Sequence, residues 1–373
     1  MQTILHIGMP KTGSTVLQDR LRASREALLA RGLLYPSNPP GCPFNNHRLL
    51  LAGFLAHDKL PRHVRKVAAY RPETLAGDYA AFLAHLAGEV AAVRPERMIL
   101  SSESLFRRLG RPGRSALGAA LAPFGAVTVA AYLRRPSAFY LSALQQKLRA
   151  SHKVEPPRAR APLQTLDDYA KVFGAAALRP RIYDRAQLVE GDIAADFLAV
   201  HLAGSGLAAG DLAVTPRANE SLSAESMDIL RAFRAAFHKE RNDVPSQDSS
   251  RLIRALARID AALEAPRPRL RPEIAEAVDY AHGDPLTLRD RWGLVFPGLD
   301  YDRLARGFHT RGLPALLRDR LKPWRLEEIV PIDRELQQAI LGRLARSRWG
   351  WAPERALWIL RQRRGAEAGR DDA

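Results

Sequence analysis

Two glycines, a lysine and three hydroxyl side chains fall within residues 8–15, a combination suited to holding an anion. Gly8-Met9-Pro10-Lys11-Thr12-Gly13 reads as a loop, and Ser14 and Thr15 open the helical pattern that follows. A glycine loop ahead of a helix N-terminus turns several backbone N–H groups toward a phosphate, and hydroxyls in the first turn add donors. Gly8 and Gly13 keep the spacing of the nucleoside-triphosphate loop, G-x-x-x-x-G-K-[ST], but Ser14 stands where that motif carries its lysine. The lysine sits in mid-loop instead, at Lys11, where it would lie beside a terminal bridging oxygen rather than reach across a diphosphate. The competing reading is a glycine-rich turn that binds nothing.

Two further groups could move a proton. Glu103 follows Met98-Ile99-Leu100-Ser101-Ser102, a short buried-strand pattern, and open α/β sheets place their sites at the carboxyl ends of parallel strands. Its alternative role is that of a helix-capping or arginine-pairing acid. His47 lies beside the Pro/Gly/Asn-rich loop 37–46, and an imidazole titrates near neutral pH. His6, inside the first strand, reads as a packed histidine, and His152 as a substrate contact.

The stretch Ile7-Gly8-Met9-Pro10-Lys11-Thr12-Gly13-Ser14-Thr15, followed by Leu17-Gln18, resembles the 5′-phosphosulfate loop of sulfotransferases that use 3′-phosphoadenylyl sulfate (PAPS), and of their bacterial members most. The resemblance implies that Gly8, Pro10, Lys11, Thr12, Gly13, Ser14 and Thr15 hold the donor's 5′ end, with Lys11 steadying the leaving oxygen. It also asks for a second strand–helix unit carrying an Arg, with a Ser eight residues on, for the 3′-phosphate. Arg134, after the strand pattern 126–133, and Ser142 meet that spacing. A guanidinium at a strand end can grip a phosphate bidentately. Arg217, in Pro216-Arg217-Ala218-Asn219-Glu220-Ser221-Leu222, is similar to a further family segment and would join that pocket, with a cap or linker role as the alternative. Leu100-Ser101-Ser102-Glu103 also resembles a family segment and makes Glu103 the leading base, with His47 second. The resemblance implies PAPS as donor, no metal, and an acceptor hydroxyl on a carbohydrate or glycolipid.

These residues need a frame. Strand patterns at 3–7, 97–101, 126–133 and 178–183 alternate with helical ones at 14–31, 76–92, 136–150, 166–173 and 186–201. Such alternation implies βαβ units and a parallel sheet. The expected fold is a three-layer, P-loop-like α/β sheet with helices on both faces over residues 1–300. A basic, mainly helical C-terminal region is expected over 301–373. Helical patterns near 333–346 and 353–364, with Trp324, Trp349, Trp351 and Trp358, supply its apolar anchors.

Of the 373 residues, 57 are Lys or Arg and 40 Asp or Glu, a net charge of +17 that asks for an anionic partner. Nucleic acid, a membrane surface and a small phosphorylated or sulfated ligand all qualify. No helix–turn–helix, zinc-finger or RNA-recognition signature supports nucleic acid, so none is expected as partner, while peripheral membrane contact and oligomeric state stay open. The single cysteine, Cys42, excludes an internal disulfide framework and any multi-cysteine metal site. Met1 leads straight into the first strand, no apolar run approaches about 18 residues, and a cytoplasmic location is expected. Rival functions are a P-loop nucleotide kinase or NTPase and a non-enzymatic nucleic-acid binder.

Overall fold

Short runs of buried aliphatic side chains bounded by glycine, proline or polar turns make most of the strands, while the strand at 178–182 buries only Leu178 and Ile182. The strands are β1 (Gln2–His6), β2 (Leu33–Leu34), β3 (Arg97–Ser101), β4 (Ala126–Leu133) and β5 (Leu178–Ile182). The protein is seen in a computed structural model that describes residues 1–42, 44–55, 57–60, 73–107, 109–158, 161–214, 221–307 and 324–346. All five strands run parallel in the order β2-β3-β1-β4-β5, so the first strand of the chain lies at the centre. Pro180, which lacks an N–H, sits in β5, the edge strand where a missing donor is tolerated.

Neighbouring residues Ile4 and Leu5 point to opposite faces of the sheet and are both almost completely buried, so the sheet is covered on both sides. One face packs Ile4, Ile99, Ala130 and Tyr132 against α1 (Ser14–Ala23), α2 (Arg25–Leu29) and the helix at Ile193–His201. Each fully buried aliphatic side chain there contributes roughly 1.5–3 kcal/mol. The 14–31 helical pattern is interrupted at Ser24, whose backbone leaves the helical region and whose hydroxyl accepts from the N–H of Ala213 at 2.7 Å. The 76–92 pattern is α3 (Leu75–Val93), and α4 (Arg111–Leu121) precedes β4. Downstream come α5 (Pro136–Leu148), α6 (Leu163–Phe173), α7 (Ile193–His201), α8 (Ala224–Phe237), α9 (Gln247–Ala262), α10 (Pro272–Asp279), α11 (Asp284–Trp292) and α12 (Arg334–Arg346).

The chain divides into two units interleaved along the sequence rather than one following the other at residue 300. The first comprises Met1–Arg135, Ala161–Ala218 and Gly283–Tyr301 and holds the sheet. The second comprises Pro136–Arg160, Asn219–His282 and Asp302–Ala373. Its core is helical, built from Leu144, Leu148, Met227, Leu230, Phe233, Leu256, Val278, Ile340 and Leu341 on α5, α8, α9, α10 and α12. In the same unit Arg234 is completely buried. Its terminal nitrogens donate to the carbonyls of Ala150 (2.6 Å), Arg241 (2.8 Å), Val244 (3.1 Å) and Arg149 (3.5 Å), and to Ser249 Oγ (2.6 Å). The expected helix near 353–364, with Trp349, Trp351 and Trp358, lies outside the described residues, as does Arg217.

Candidate functional site

The strand order makes the carboxyl end of β1 the switch point of the sheet. The chain leaves β1 toward β2 and β3, then crosses to β4 and β5 on the other side. Open α/β sheets bind ligands at this point. The 7–13 loop emerges there, tied to β4 by Ile7 N–H to Ala130 O (2.9 Å) and Met9 N–H to Tyr132 O (3.1 Å). Thr12 donates its hydroxyl back to Met9 O, closing the turn from within. Lys11 (φ 71°) and Gly13 (φ 75°) both adopt the left-handed conformation. For lysine this is strained by roughly 1–2 kcal/mol. Gly13 has a second reason to lack a side chain, since a Cβ would meet the Tyr183 ring at 3.1 Å.

Gly8 is needed for space rather than for backbone angle. A Cβ there would stand 2.5 Å from His6 Nε2 and 2.9 Å from Ser14 Oγ. Both of those atoms are buried and have no hydrogen-bond partner among the described residues. Ser14 opens α1, a ten-residue helix with no side-chain cap, so an unpartnered hydroxyl joins the helix's own N-terminal N–H groups. Thr15 is exposed in the same turn.

Arg134, at the end of β4, reaches the same loop. Its Nη1 donates to Lys11 O at 2.8 Å, and its guanidinium lies 5.8 Å from the centre of the Tyr183 ring. Burial pulls Arg134 below its ordinary pKa, with Tyr183 and Asp184 opposing. The loop, Ser14 and Arg134 are therefore brought together. Ser142 is half-buried on α5 of the second unit, as is His152 in the segment after it.

Glu103 lies two residues beyond β3, half-buried, within a polar cluster that sequence reading did not find. Gln18 Nε2 donates to Glu103 Oε2 at 3.0 Å and to Ser101 Oγ at 3.1 Å. Asn46 Nδ2 reaches Gln18 Oε1 at 3.2 Å, and Arg48 stands 3.9 Å from Glu103 while stacking on Phe44 at 4.5 Å. The available signal was Gln18 one helical turn after Ser14, on the same face of α1.

His47, the second candidate base, is spoken for. Its backbone N–H and Nδ1 pair with Ser101 O and Ser101 N, at 3.0 and 2.9 Å, and Nε2 donates to Pro36 O at 3.0 Å. Burial pushes its pKa down to about 4, and both nitrogens are committed to backbone, so His47 holds the 37–47 segment against β3. The Tyr183–Asp184 and Asp192–Asp196 segments brace the same unit. Asp192 caps α7 through Ala194 N and Ala195 N, and Asp196 pairs with Arg181 and accepts from the Tyr132 hydroxyl at 2.8 Å.

Among the described residues no group of three or more His, Cys, Asp or Glu side chains is placed to hold a metal ion. No described helix is long and apolar enough to cross a membrane. No protein-family model, curated protein or solved structure matches the chain.

Proposed function

We propose that the chain is a PAPS-dependent sulfotransferase built on a three-layer, P-loop-like sheet. What carries this reading is Ser14 Oγ, buried at the N-terminus of α1 without a partner among the described residues, beside Gly8, whose missing side chain leaves room for a close approach. Arg134 on Lys11 O and Glu103 on Gln18, both joined to the same loop–helix unit, add a guanidinium and a carboxylate. Ser14 in place of the second-glycine lysine argues against a nucleoside triphosphate as ligand.

The donor supplies an activated sulfuryl group: an acceptor oxygen–sulfur bond forms as the bridging sulfur–oxygen bond breaks and adenosine 3′,5′-bisphosphate departs. Lys11 neutralises the charge that grows on the departing oxygen, the loop N–H groups and Ser14 hold the 5′-phosphate, and Arg134 serves the nucleotide's remaining phosphate. Glu103 takes the acceptor's proton; Gln18 and Arg48 hold its carboxylate in place. A carbohydrate or glycolipid hydroxyl is the acceptor class.

Calorimetric titration with adenosine 3′,5′-bisphosphate, set against ATP with magnesium, tests the donor. Labelled PAPS with an acceptor panel then tests transfer. Binding of the bisphosphate in preference to ATP is expected. Lys11→Ala should lower transfer about a hundredfold or more while leaving bisphosphate binding largely intact, and Arg134→Ala should weaken binding first. Preference for ATP with magnesium, or equal transfer by wild type and Lys11→Ala, overturns the reading.

A further inference from the structure

The polar side chains behind the glycine loop form a single series whose hydrogen directions can be assigned. Arg48 can only donate, so its Nε, 2.8 Å from Asn46 Oδ1, fixes the Asn46 amide with its oxygen toward Arg48. Asn46 Nδ2 then faces Gln18 Oε1 at 3.2 Å, which turns Gln18 Nε2 toward Ser101 Oγ and Glu103 Oε2. Glu103 Oε2, as the acceptor 3.0 Å from Gln18 Nε2, agrees with the same orientation of Gln18. Ser101 Oγ therefore receives a hydrogen from Gln18 and keeps one further lone pair and its own proton for His6 Nδ1, 2.7 Å away. The arrangement that leaves no hydroxyl hydrogen unmatched is the one in which Ser101 donates to Nδ1. A neutral imidazole that accepts at Nδ1 carries its hydrogen at Nε2.

The surroundings keep His6 neutral. The ring is fully buried, edge-on to Tyr132 at 5.9 Å and Phe197 at 5.8 Å. Burial, with His201 adding to it and Glu103 opposing, pushes its pKa down to about 3. Its Nε2 has no partner among the described residues, nor has Ser14 Oγ, and both crowd the same side of Gly8. A buried N–H donor left unmatched is destabilising, and an acceptor at Ser14 would relieve it.

We propose that His6 is a positioning residue for anion binding. Its Nε2–H donates to Ser14 Oγ when the loop is occupied, so that the Ser14 hydroxyl proton is directed at a phosphate-type oxyanion. Ser101 and Gln18 set the tautomer, and Gln18 shares its other hydrogen with Glu103, so one amide serves both halves of the site. The proposal rests on the reading of the loop as the seat of the donor's 5′-phosphate.

The test joins nitrogen-15 NMR of histidine-labelled full-length protein to calorimetry with adenosine 3′,5′-bisphosphate and with inorganic pyrophosphate. In the wild type, Nε2 of His6 should carry the hydrogen from pH 5 to 8 and shift on ligand addition, and Ser101→Ala should redistribute the tautomers. His6→Phe should weaken bisphosphate binding about tenfold, and His6→Gln, which can place an amide N–H in the same position, should recover most of the loss. Ser14→Ala should match His6→Phe, and the double variant should be no weaker than either single one.

An Nε2 without hydrogen in the wild type overturns the proposal even if His6→Phe fails to fold, and so does a fully additive double variant. Undiminished binding by His6→Phe overturns it while the donor reading stands. A His6 signal that answers pyrophosphate but not the bisphosphate overturns the donor reading and supports the role of His6. A signal that answers neither overturns both.

Discussion

Arg234 in the second unit and the polar series behind the glycine loop in the first are buried to opposite ends. In the second, Arg234 is sealed in a helical core and its terminal nitrogens are consumed by four backbone carbonyls and Ser249, leaving only Nε unpartnered. In the first, the series from Arg48 to His6 is satisfied at every step until it reaches the glycine loop, where Nε2 of His6 and Oγ of Ser14 end it without partners among the described residues. Saturated polar groups knit a structure together. Unsaturated ones that converge on one loop are capacity held for something else.

The largest effect should come from the saturated side. Arg234→Met leaves four carbonyls without their donor, and a loss of about 3–5 kcal/mol is expected after relaxation, at roughly 1–3 kcal/mol for each unsatisfied group. Urea unfolding measures it; bisphosphate affinity of the folded fraction should not change. A loss below about 1 kcal/mol would mean that Arg234 is not the tie described.

Each buried histidine of the first unit makes a smaller contribution of its own, and that contribution depends on pH. His6, His47 and His201, all in the first unit, have pKa values pushed down to about 3, 4 and 4, in each case chiefly by burial. The unfolded chain takes up protons at these residues below about 6.5 while the folded one does not, so stability is full above that value and falls as pH drops toward 4. Each histidine steepens the fall by up to about 1.4 kcal/mol per pH unit. Urea midpoints measured from pH 7.5 to 4.5 should show it, and His6→Phe should flatten the curve. An unchanged slope in that variant would show that His6 is protonated in the folded state.

Smallest of all should be the stability change on Lys11→Gly. Release of the left-handed strain is offset by the freedom glycine gains when unfolded, leaving at most about 1 kcal/mol in favour of the variant. Transfer should nevertheless fall as it does for Lys11→Ala. A protein destabilised by this change would show that the Lys11 side chain supports the fold.

Much of the frame was legible because its signals are local. The strands at 97–101 and 126–133 occupy the residues their aliphatic, turn-bounded runs mark, and Gly8, Gly13 and Ser14 stand together in one short stretch. The two-residue strand Leu33–Leu34 carries no period of its own, and the break at Ser24 depends on Ala213, far along the chain. Helix α5 reads like any other amphipathic helix, so nothing in its residues assigns it to a different unit from β4. The Gln18–Asn46–Glu103 cluster is built from three separate elements, and the state of His6 depends on hydrogens passed along from Arg48. Only β-sheet register, which sets His6 opposite Ser101, brings those links together.

That register has a consequence for how the protein is made. Strand β1 leaves the ribosome before both of its partners, Arg97–Ser101 and Ala126–Leu133, which are synthesised long afterwards. Until about residue 101 has emerged the first strand has two open edges, and until about residue 133 one edge stays open and the glycine loop lacks its ties to β4. Pairings this distant in sequence are slow to close and expose sticky surface in the meantime. A nascent chain halted short of β4 should therefore depend on chaperones, and anion binding should emerge only when the centre of the sheet is complete.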